Sequence, residues 1–170
     1  MKIKIREGMR GLLFRAGTLV RVLGPGEHRI HPILRRETVE TVDVRERAVE
    51  LDLAPLLTRD GVPVGVTGFV AYRIADPTAV LKVGSVAERL EQEARAAVAG
   101  AVAQLEALAL APALRGLAVD VHDRLAFDAQ RIGIEVVGVG LTGVRFPRRL
   151  RQMMKSKEVF ERMIGASAGG

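Results

Sequence analysis

Residues 56–77 read LLTRDGVPVGVTGFVAYRIADP, and this stretch indicates how the whole chain folds. In it, apolar side chains recur at nearly every second position, so an extended strand would be apolar along one side. The residues concerned are Val62, Val64, Val66, Val70, Tyr72 and Ile74. A turn at Arg59-Asp60-Gly61 precedes them, and Asp76-Pro77 is typical of a helix start. We therefore predict a long central strand whose apolar face packs against helices.

Shorter stretches before this strand have the same kind of pattern. Residues 1–6 alternate Lys and Ile, which places Ile3 and Ile5 on one face. Further strand-like stretches are residues 12–15, 18–23, 39–44 and 49–53. Ala16-Gly17 joins two of them as a hairpin, and Gly24-Pro25-Gly26 forces a turn. We expect this part of the chain to be mostly antiparallel sheet.

Helical periodicity replaces the alternation after Asp76. Ser85-Val86-Ala87-Glu88 has the spacing of a capping box, in which the Ser85 hydroxyl accepts a hydrogen bond from the Glu88 amide. An apolar stripe with helical spacing follows it as far as Leu108. Pro112 is expected to end this helix. A second amphipathic helix is expected over residues 113–131, with Gly133 as its C-terminal cap.

A last strand and a last helix complete the order of elements. Over residues 134–146 the apolar positions change side twice, which predicts β-bulges near Gly138 and Gly143. From Pro147 onward, apolar residues have coiled-coil spacing that Lys157 interrupts. The predicted parts are a domain over 1–146, an assembly helix over 147–164 and a flexible tail over 165–170. The fold class is α+β: a twisted, mostly antiparallel sheet packed by two amphipathic helices, with the start of a C-terminal helix.

Charge is distributed unevenly along the chain. Residues 1–36 carry nine Lys or Arg against two acidic side chains, residues 37–144 carry ten against sixteen, and residues 145–170 carry seven against two. The net charge of +6 therefore comes from two basic ends around an acidic middle. Basic ends favour anionic partners, which are a membrane surface, nucleic acid or the acidic middle of another copy. Alternatively, the basic ends bind no partner and only keep the surface soluble.

Side chains that could carry chemistry are few and scattered. The chain has no Cys, which excludes thiolate chemistry and favours an intracellular compartment. His28 and His31 are three apart in an expected strand and point to opposite faces. His122 has acidic neighbours on both sides, but adjacent residues diverge by about 100° on a helix. We therefore expect no enzyme, no cofactor and no metal site.

Nucleic acid binding is also not expected. The basic ends would suit phosphate contacts, but aromatic side chains interleaved with the charges, which stacking on single strands needs, are missing. The spacing of a helix-turn-helix or of a zinc module is missing as well.

Several short motifs, in a fixed order, carry a family resemblance. They are residues 10–14 (RGLLF), 23–26 (LGPG), 57–64 (LTRDGVPV), 70–77 (VAYRIADP), 133–136 (GIEV) and 144–147 (VRFP). In this order and with these gaps, the chain resembles the SPFH (band 7, or stomatin-prohibitin) domain of stomatin-like proteins, called slipins in bacteria. The resemblance covers about residues 8–163.

The resemblance implies a function as well as a fold. Family members are membrane-associated scaffolds that assemble into large homo-oligomers and organise or regulate partner membrane proteins, including proteases and channels. They are not enzymes. For this chain the resemblance implies a cytoplasmic protein peripheral to the membrane, with the N-terminal sheet against the membrane and the helix after Pro147 driving assembly. The alternative is a soluble interaction module that regulates a partner protease without contacting lipid.

Two sets of residues follow as candidate sites. Contact with anionic headgroups would use Lys2, Lys4, Arg6 and Arg10, each contributing about 1 kcal/mol near the surface. Leu12, Leu13 or Phe14 would insert beside them, unless these three are core residues of the first hairpin. Self-association would use Leu150, Met153 and Phe160, unless these pack back on the same domain.

Overall fold

The structure is a computed structural model and describes residues 1–167 of the chain. That part contains eight strands and four helices. In chain order they are β1 Lys2–Ile5, β2 Met9–Arg15, β3 Thr18–Leu23, β4 Gly26–Arg29, β5 Glu37–Asp43, β6 Arg47–Leu57, β7 Pro63–Ile74, α1 Pro77–Val80, α2 Val86–Val102, α3 Ala107–Gln130, β8 Ile134–Arg145 and α4 Arg148–Ser167. The α+β class and its C-terminal helix are confirmed.

The strands form three antiparallel sheets and not one. A two-stranded ribbon pairs β1 with β4, a three-stranded sheet has the order β3-β2-β5, and a second has the order β6-β7-β8. The sheet β3-β2-β5 is separated from the sheet β6-β7-β8 just after β5. There the backbone and the side chain of Arg45 both donate to Asp43, and the chain turns away from β2. Strand β7 pairs on both sides, so the quoted stretch is central to the larger sheet, as predicted.

The main core lies between this sheet and the helices α2 and α3. Val64, Val66, Val70 and Tyr72 of β7 are all buried in it, and Val62 packs against it. The predicted apolar face is thus confirmed except at Ile74, which lies outside this core. A separate, smaller cluster joins the two N-terminal sheets. It consists of Ile5, Leu13, Leu23 and Ile30.

Strand β8 contains both predicted bulges. Its pairing with β7 shifts register twice, between Thr67 and Gly68 and between Ala71 and Tyr72. These shifts leave Val137 and Thr142 of β8 without opposite residues, each one position from the expected glycine. A bulge moves the following side chains to the other face, which explains the change of side in the sequence.

The boundary between the two long helices differs from the prediction. Helix α2 ends at Val102 and α3 begins at Ala107, so Pro112 lies inside α3 instead of ending α2. The turn at the start of β7 imposes the break, since Asp60 accepts from the Ala107 amide at 3.0 Å. Pro112 is tolerated because it lies on the exposed side of α3, where the carbonyl that it frees reaches water.

The other helix ends follow the sequence signals. Asp76 accepts from the amides of Thr78 and Ala79, and Pro77 is the first residue of α1. Ser85 accepts from the Glu88 amide at the start of α2. After α3, Gly133 has φ +75°, and its carbonyl accepts from the amides of Ala75 and Asp76. The chain thus returns to the sheet beside the point where it left β7.

Helix α4 stands apart from both cores. Every side chain described from Arg151 to Ala166 is exposed, except that of Met154, which is half-buried. The helix continues to Ser167, beyond the predicted end at residue 164. The rest of the predicted flexible tail, residues 168–170, lies outside the described residues.

Candidate membrane-contact and self-association surfaces

The basic side chains of β1 do not form one patch. Lys2 and Lys4 are exposed, while Ile5 points into the small core. Lys2 lies opposite Arg29 of β4, and its ammonium group is 3.8 Å from the Glu27 carboxylate. Because Glu27 partly neutralises Lys2, this end of the ribbon is only moderately positive.

Lys4 and Arg6 lie at the other end of the ribbon. They line an open groove of about 820 Å³ between the N-terminal sheets and the start of β6. Across this groove Asp43 accepts from Arg45 at 2.7 Å and from Arg47 at 2.6 Å, and these bonds hold the pKa of Asp43 far below its usual range. The groove carries a surplus of positive charge because its lining has four cations, Lys4, Arg6, Arg45 and Arg47, against the two carboxylates of Glu7 and Asp43.

The apolar residues that were expected beside these cations are mostly inaccessible. Leu12 and Leu13 are buried in β2, between β3 and β5, as in the alternative in which they are core residues of the first hairpin. They have no surface to offer a membrane, so they leave the set of contact residues. Phe14 is half-buried. Arg10 is half-buried too, and its guanidinium donates to the Met9 carbonyl at 3.0 Å.

A different apolar pair is fully exposed. Ile33 and Leu34 lie in the loop between β4 and β5, with exposed fractions of 95% and 85%, the highest of the large hydrophobic residues over 1–167. Sequence reasoning missed them because a loop has no periodicity to read. The available signal was the local order, Pro32 before the pair and Arg35-Arg36 after it, which places aliphatic and basic side chains together outside any strand.

The base of this loop is held in place by a buried carboxylate. Glu37 accepts from the His31 amide at 2.8 Å and from Arg15 at 3.0 Å. The backbone bond, with help from Arg15, lowers the pKa of Glu37 below its ordinary value. The Ala16 amide donates to the Arg36 carbonyl at 3.0 Å, so the loop is also tied to the first hairpin.

The expected self-association residues lie on helix α4. Met153 and Phe160 have exposed fractions of 68% and 63%, whereas Leu150 is half-buried near the start of the helix. Within the described residues, Met153 and Phe160 therefore do not pack back on the domain. Ile164 continues the same stripe and is also exposed.

Potential metal ligands are dispersed over the described residues. Over residues 1–167, His, Cys, Asp and Glu side chains form no group of three or more that could hold a metal ion. His28 contacts the Gly24 carbonyl and His122 contacts Asp123, so neither ring meets a cluster of ligands. Across the same residues, no helix has the length and apolarity needed to cross a membrane.

Comparison with known proteins identifies the family of the chain. Residues 3–167 match the SPFH domain / Band 7 family. An uncharacterized protein of Archaeoglobus fulgidus is 30% identical over 93% of this chain, a stomatin homolog of Pyrococcus abyssi is 27% identical over 93%, and Stomatin-3 of Caenorhabditis elegans is 29% identical over 93%. The chain spans 63%, 59% and 60% of the length of these relatives, respectively. The resemblance predicted from the motifs is confirmed: the chain belongs to the SPFH domain / Band 7 family.

Proposed function

We propose that this chain is a non-enzymatic, membrane-associated scaffold that forms homo-oligomers and organises or regulates partner membrane proteins such as a protease or a channel. Membership of a family with stomatin-like relatives supports a membrane-associated scaffold at the family level. The absence of Cys from the chain supports a place on the cytoplasmic side of the membrane, where thiols stay reduced and disulfides are rare.

Helix α4 is the observation that carries the assembly part of the proposal. It presents Met153 and Phe160 on one side of a helix that projects from the folded domain. Burying such a side chain contributes about 1.5–3 kcal/mol, so a partner surface is needed to realise that stabilisation. A parallel or antiparallel copy of the same helix supplies a stripe of the same spacing. In this division, residues 1–146 are the domain and residues 147–164 are the assembly helix.

Contact with the membrane is electrostatic in the first instance. Lys2, Lys4 and Arg6 are exposed in and just after β1, and the half-buried Arg10 of β2 is the fourth cation proposed for this contact. Such cations are attracted to the negative potential of anionic lipids within about a Debye length. Phe14 is half-buried and offers part of its ring. Nucleic acid is not proposed as a partner.

Vesicle flotation of the full chain tests the membrane part. We expect binding to vesicles that contain phosphatidylserine, loss of that binding at high salt, and much weaker binding to pure phosphatidylcholine. Equal binding to both vesicles, or none, contradicts electrostatic attachment. If the chain binds no vesicle but captures the same membrane protease with and without detergent, the alternative of a soluble regulatory module is correct.

A further inference from the structure

The loop formed by residues 31–36, called the tip loop below, carries the two most exposed large hydrophobic side chains of residues 1–167. Ile33 and Leu34 are adjacent and nearly fully exposed. The Arg35 amide donates to the His31 carbonyl at 3.0 Å, which closes a turn and makes the pair its apex. In this position the two side chains do not pack on their own domain, so an external apolar medium is needed to bury them.

Three arginines lie in the tip loop or just before it in the sequence. Arg35 and Arg36 belong to the loop, and Arg29 precedes it at the end of β4. None of these three makes a salt bridge within residues 1–167, whereas Glu37 is buried and already paired with Arg15. The accessible charge around the apolar apex is therefore positive. An apolar apex with a positive rim matches the chemistry of an anionic lipid surface, where acyl chains lie beneath phosphates.

The tip loop is presented in a fixed position. Its base is bonded through Glu37 and through the Ala16–Arg36 backbone contact. Immediately before it, the backbones of Met1 and Ile30 exchange two hydrogen bonds of 2.9 Å and close the β1–β4 ribbon. A preorganised loop loses little conformational entropy when it binds, which favours insertion at low cost.

We infer that the tip loop is the element that enters the bilayer, with Ile33 and Leu34 at the boundary between headgroups and acyl chains and with Arg29, Arg35 and Arg36 on the lipid phosphates. This inference rests on the proposed membrane association and names the part of the chain that performs it. A bilayer suits this site better than a second copy does, because two side chains on a convex apex need a deformable medium and not a shaped groove. Insertion to a depth of about 5–10 Å would cover both side chains.

Substitution at the apex of the full chain tests the inference. The variant Ile33→Ser/Leu34→Ser should bind phosphatidylserine-containing vesicles at least about tenfold more weakly than the unchanged chain. The control is Val119→Ser, an exposed aliphatic position on α3 with an exposed fraction of 60%, which should bind unchanged. Binding of the double variant equal to that of the unchanged chain overturns the inference. The inference is also overturned if the double variant changes the solution mass but not the vesicle binding, because the tip loop is then a contact between two copies of the chain.

A direct measurement of depth keeps the test independent of folding differences. Because the chain has no Cys, Ile33→Cys can be labelled at one position with a nitrobenzoxadiazole fluorophore, and Val119→Cys serves as the control. On vesicles the label at position 33 should shift to shorter wavelength and be quenched by nitroxide lipids, and the label at 119 should do neither. If the unchanged chain binds vesicles but the label at 33 stays in water, the inference fails and the proposed membrane association survives. If the unchanged chain binds no anionic vesicle, both fail.

Discussion

At the scale of single residues, Thr58 joins the quoted stretch to the helix layer. Its hydroxyl is buried, donates to Asp60 at 2.6 Å and accepts from the Val62 amide at 3.0 Å. Asp60 in turn caps α3 through the Ala107 amide. The sequence marked Asp60 as a turn residue, but its role as a cap for a helix 47 positions away was not visible, since that needs the tertiary fold.

Thr58→Val should therefore destabilise the fold through the turn and the helix together. Loss of the hydroxyl removes the acceptor of the half-buried Val62 amide and the donor to Asp60, and we expect the free energy of unfolding to fall by about 1–3 kcal/mol. In thermal unfolding followed by circular dichroism, Tm should drop by roughly 2–10 °C. Thr67→Val is the control, because its hydroxyl meets Thr142 on the exposed face at 3.3 Å. Equal losses in both variants contradict the proposed role of Thr58.

Glu37 should make stability depend on pH in the acid range. Its hydrogen bonds to the His31 amide and Arg15 lower its pKa in the folded state from an ordinary 4.5. A carboxyl with a depressed folded pKa stabilises the fold above its unfolded pKa, and this contribution disappears as pH falls through the folded value. The difference in unfolding free energy between the unchanged chain and Glu37→Gln should thus be largest near pH 7 and shrink below about pH 4.5. Denaturant titrations at several pH values measure this difference in unfolding free energy, and the exposed Glu40→Gln serves as the control. A difference between the unchanged chain and Glu37→Gln that stays constant with pH contradicts the prediction.

Leu13 and Ile33 show that the local sequence does not determine which apolar residues are exposed. Both lie among basic residues, and on sequence alone Leu12, Leu13 and Phe14 were the apolar candidates for membrane contact. The structure buries Leu12 and Leu13 between strands and exposes Ile33, because the pairing of β2 with both β3 and β5 decides which apolar residues have neighbours. Strand pairing is non-local, so the local pattern does not contain it.

At the scale of elements, local signals predicted the starts of α1 and α2 and the bulges of β8, and failed where a distant contact intervenes. The caps Asp76 and Ser85 act within three residues, and both are confirmed. The bulges of β8 were also readable, because a change of apolar side lies within the strand itself. The end of α2 was not readable, since Asp60 and the Arg59 amide, which donates to the Leu105 carbonyl at 2.8 Å, set it from outside.

Two glycines on neighbouring strands differ in a way that substitution can reveal. A Cβ on Gly68 of β7 would collide with the backbone carbonyl of Gly140, whereas a Cβ on Gly140 of β8 would collide only with the ring of Phe69. We expect Gly68→Ala and Gly140→Ala each to cost about 1–3 kcal/mol of stability. In a Phe69→Ala background the cost of Gly140→Ala should largely disappear and that of Gly68→Ala should remain. A double-mutant cycle in denaturant measures both, and equal rescue of the two glycines contradicts the assignment.

At the scale of the whole molecule, β7 separates the two basic ends. Its C-terminal residue, Ile74, lines the groove with Lys4 and Arg6, while Gly65 near its start pairs with Arg145, just before α4. Twelve residues of strand span roughly 40 Å. The charge map indicated two basic ends, but not their placement at opposite ends of one strand. Under the proposed function, membrane contact at one end and self-association at the other do not compete for the same surface.

This separation predicts that self-association can be removed without touching the membrane end. Met153→Ser/Phe160→Ser should reduce the solution mass of the full chain to that of an 18.4 kDa monomer, because it removes two of the exposed apolar side chains of the α4 stripe. Val159→Ser is the control, since Val159 is exposed on α4 and lies about 100–120° around the helix from Phe160 and Met153, and it should leave the mass unchanged. The tip-loop variant Ile33→Ser/Leu34→Ser should also keep the assembled mass. Light scattering coupled to gel filtration measures the solution mass of all three variants. If the unchanged chain is monomeric at every concentration, α4 does not drive assembly.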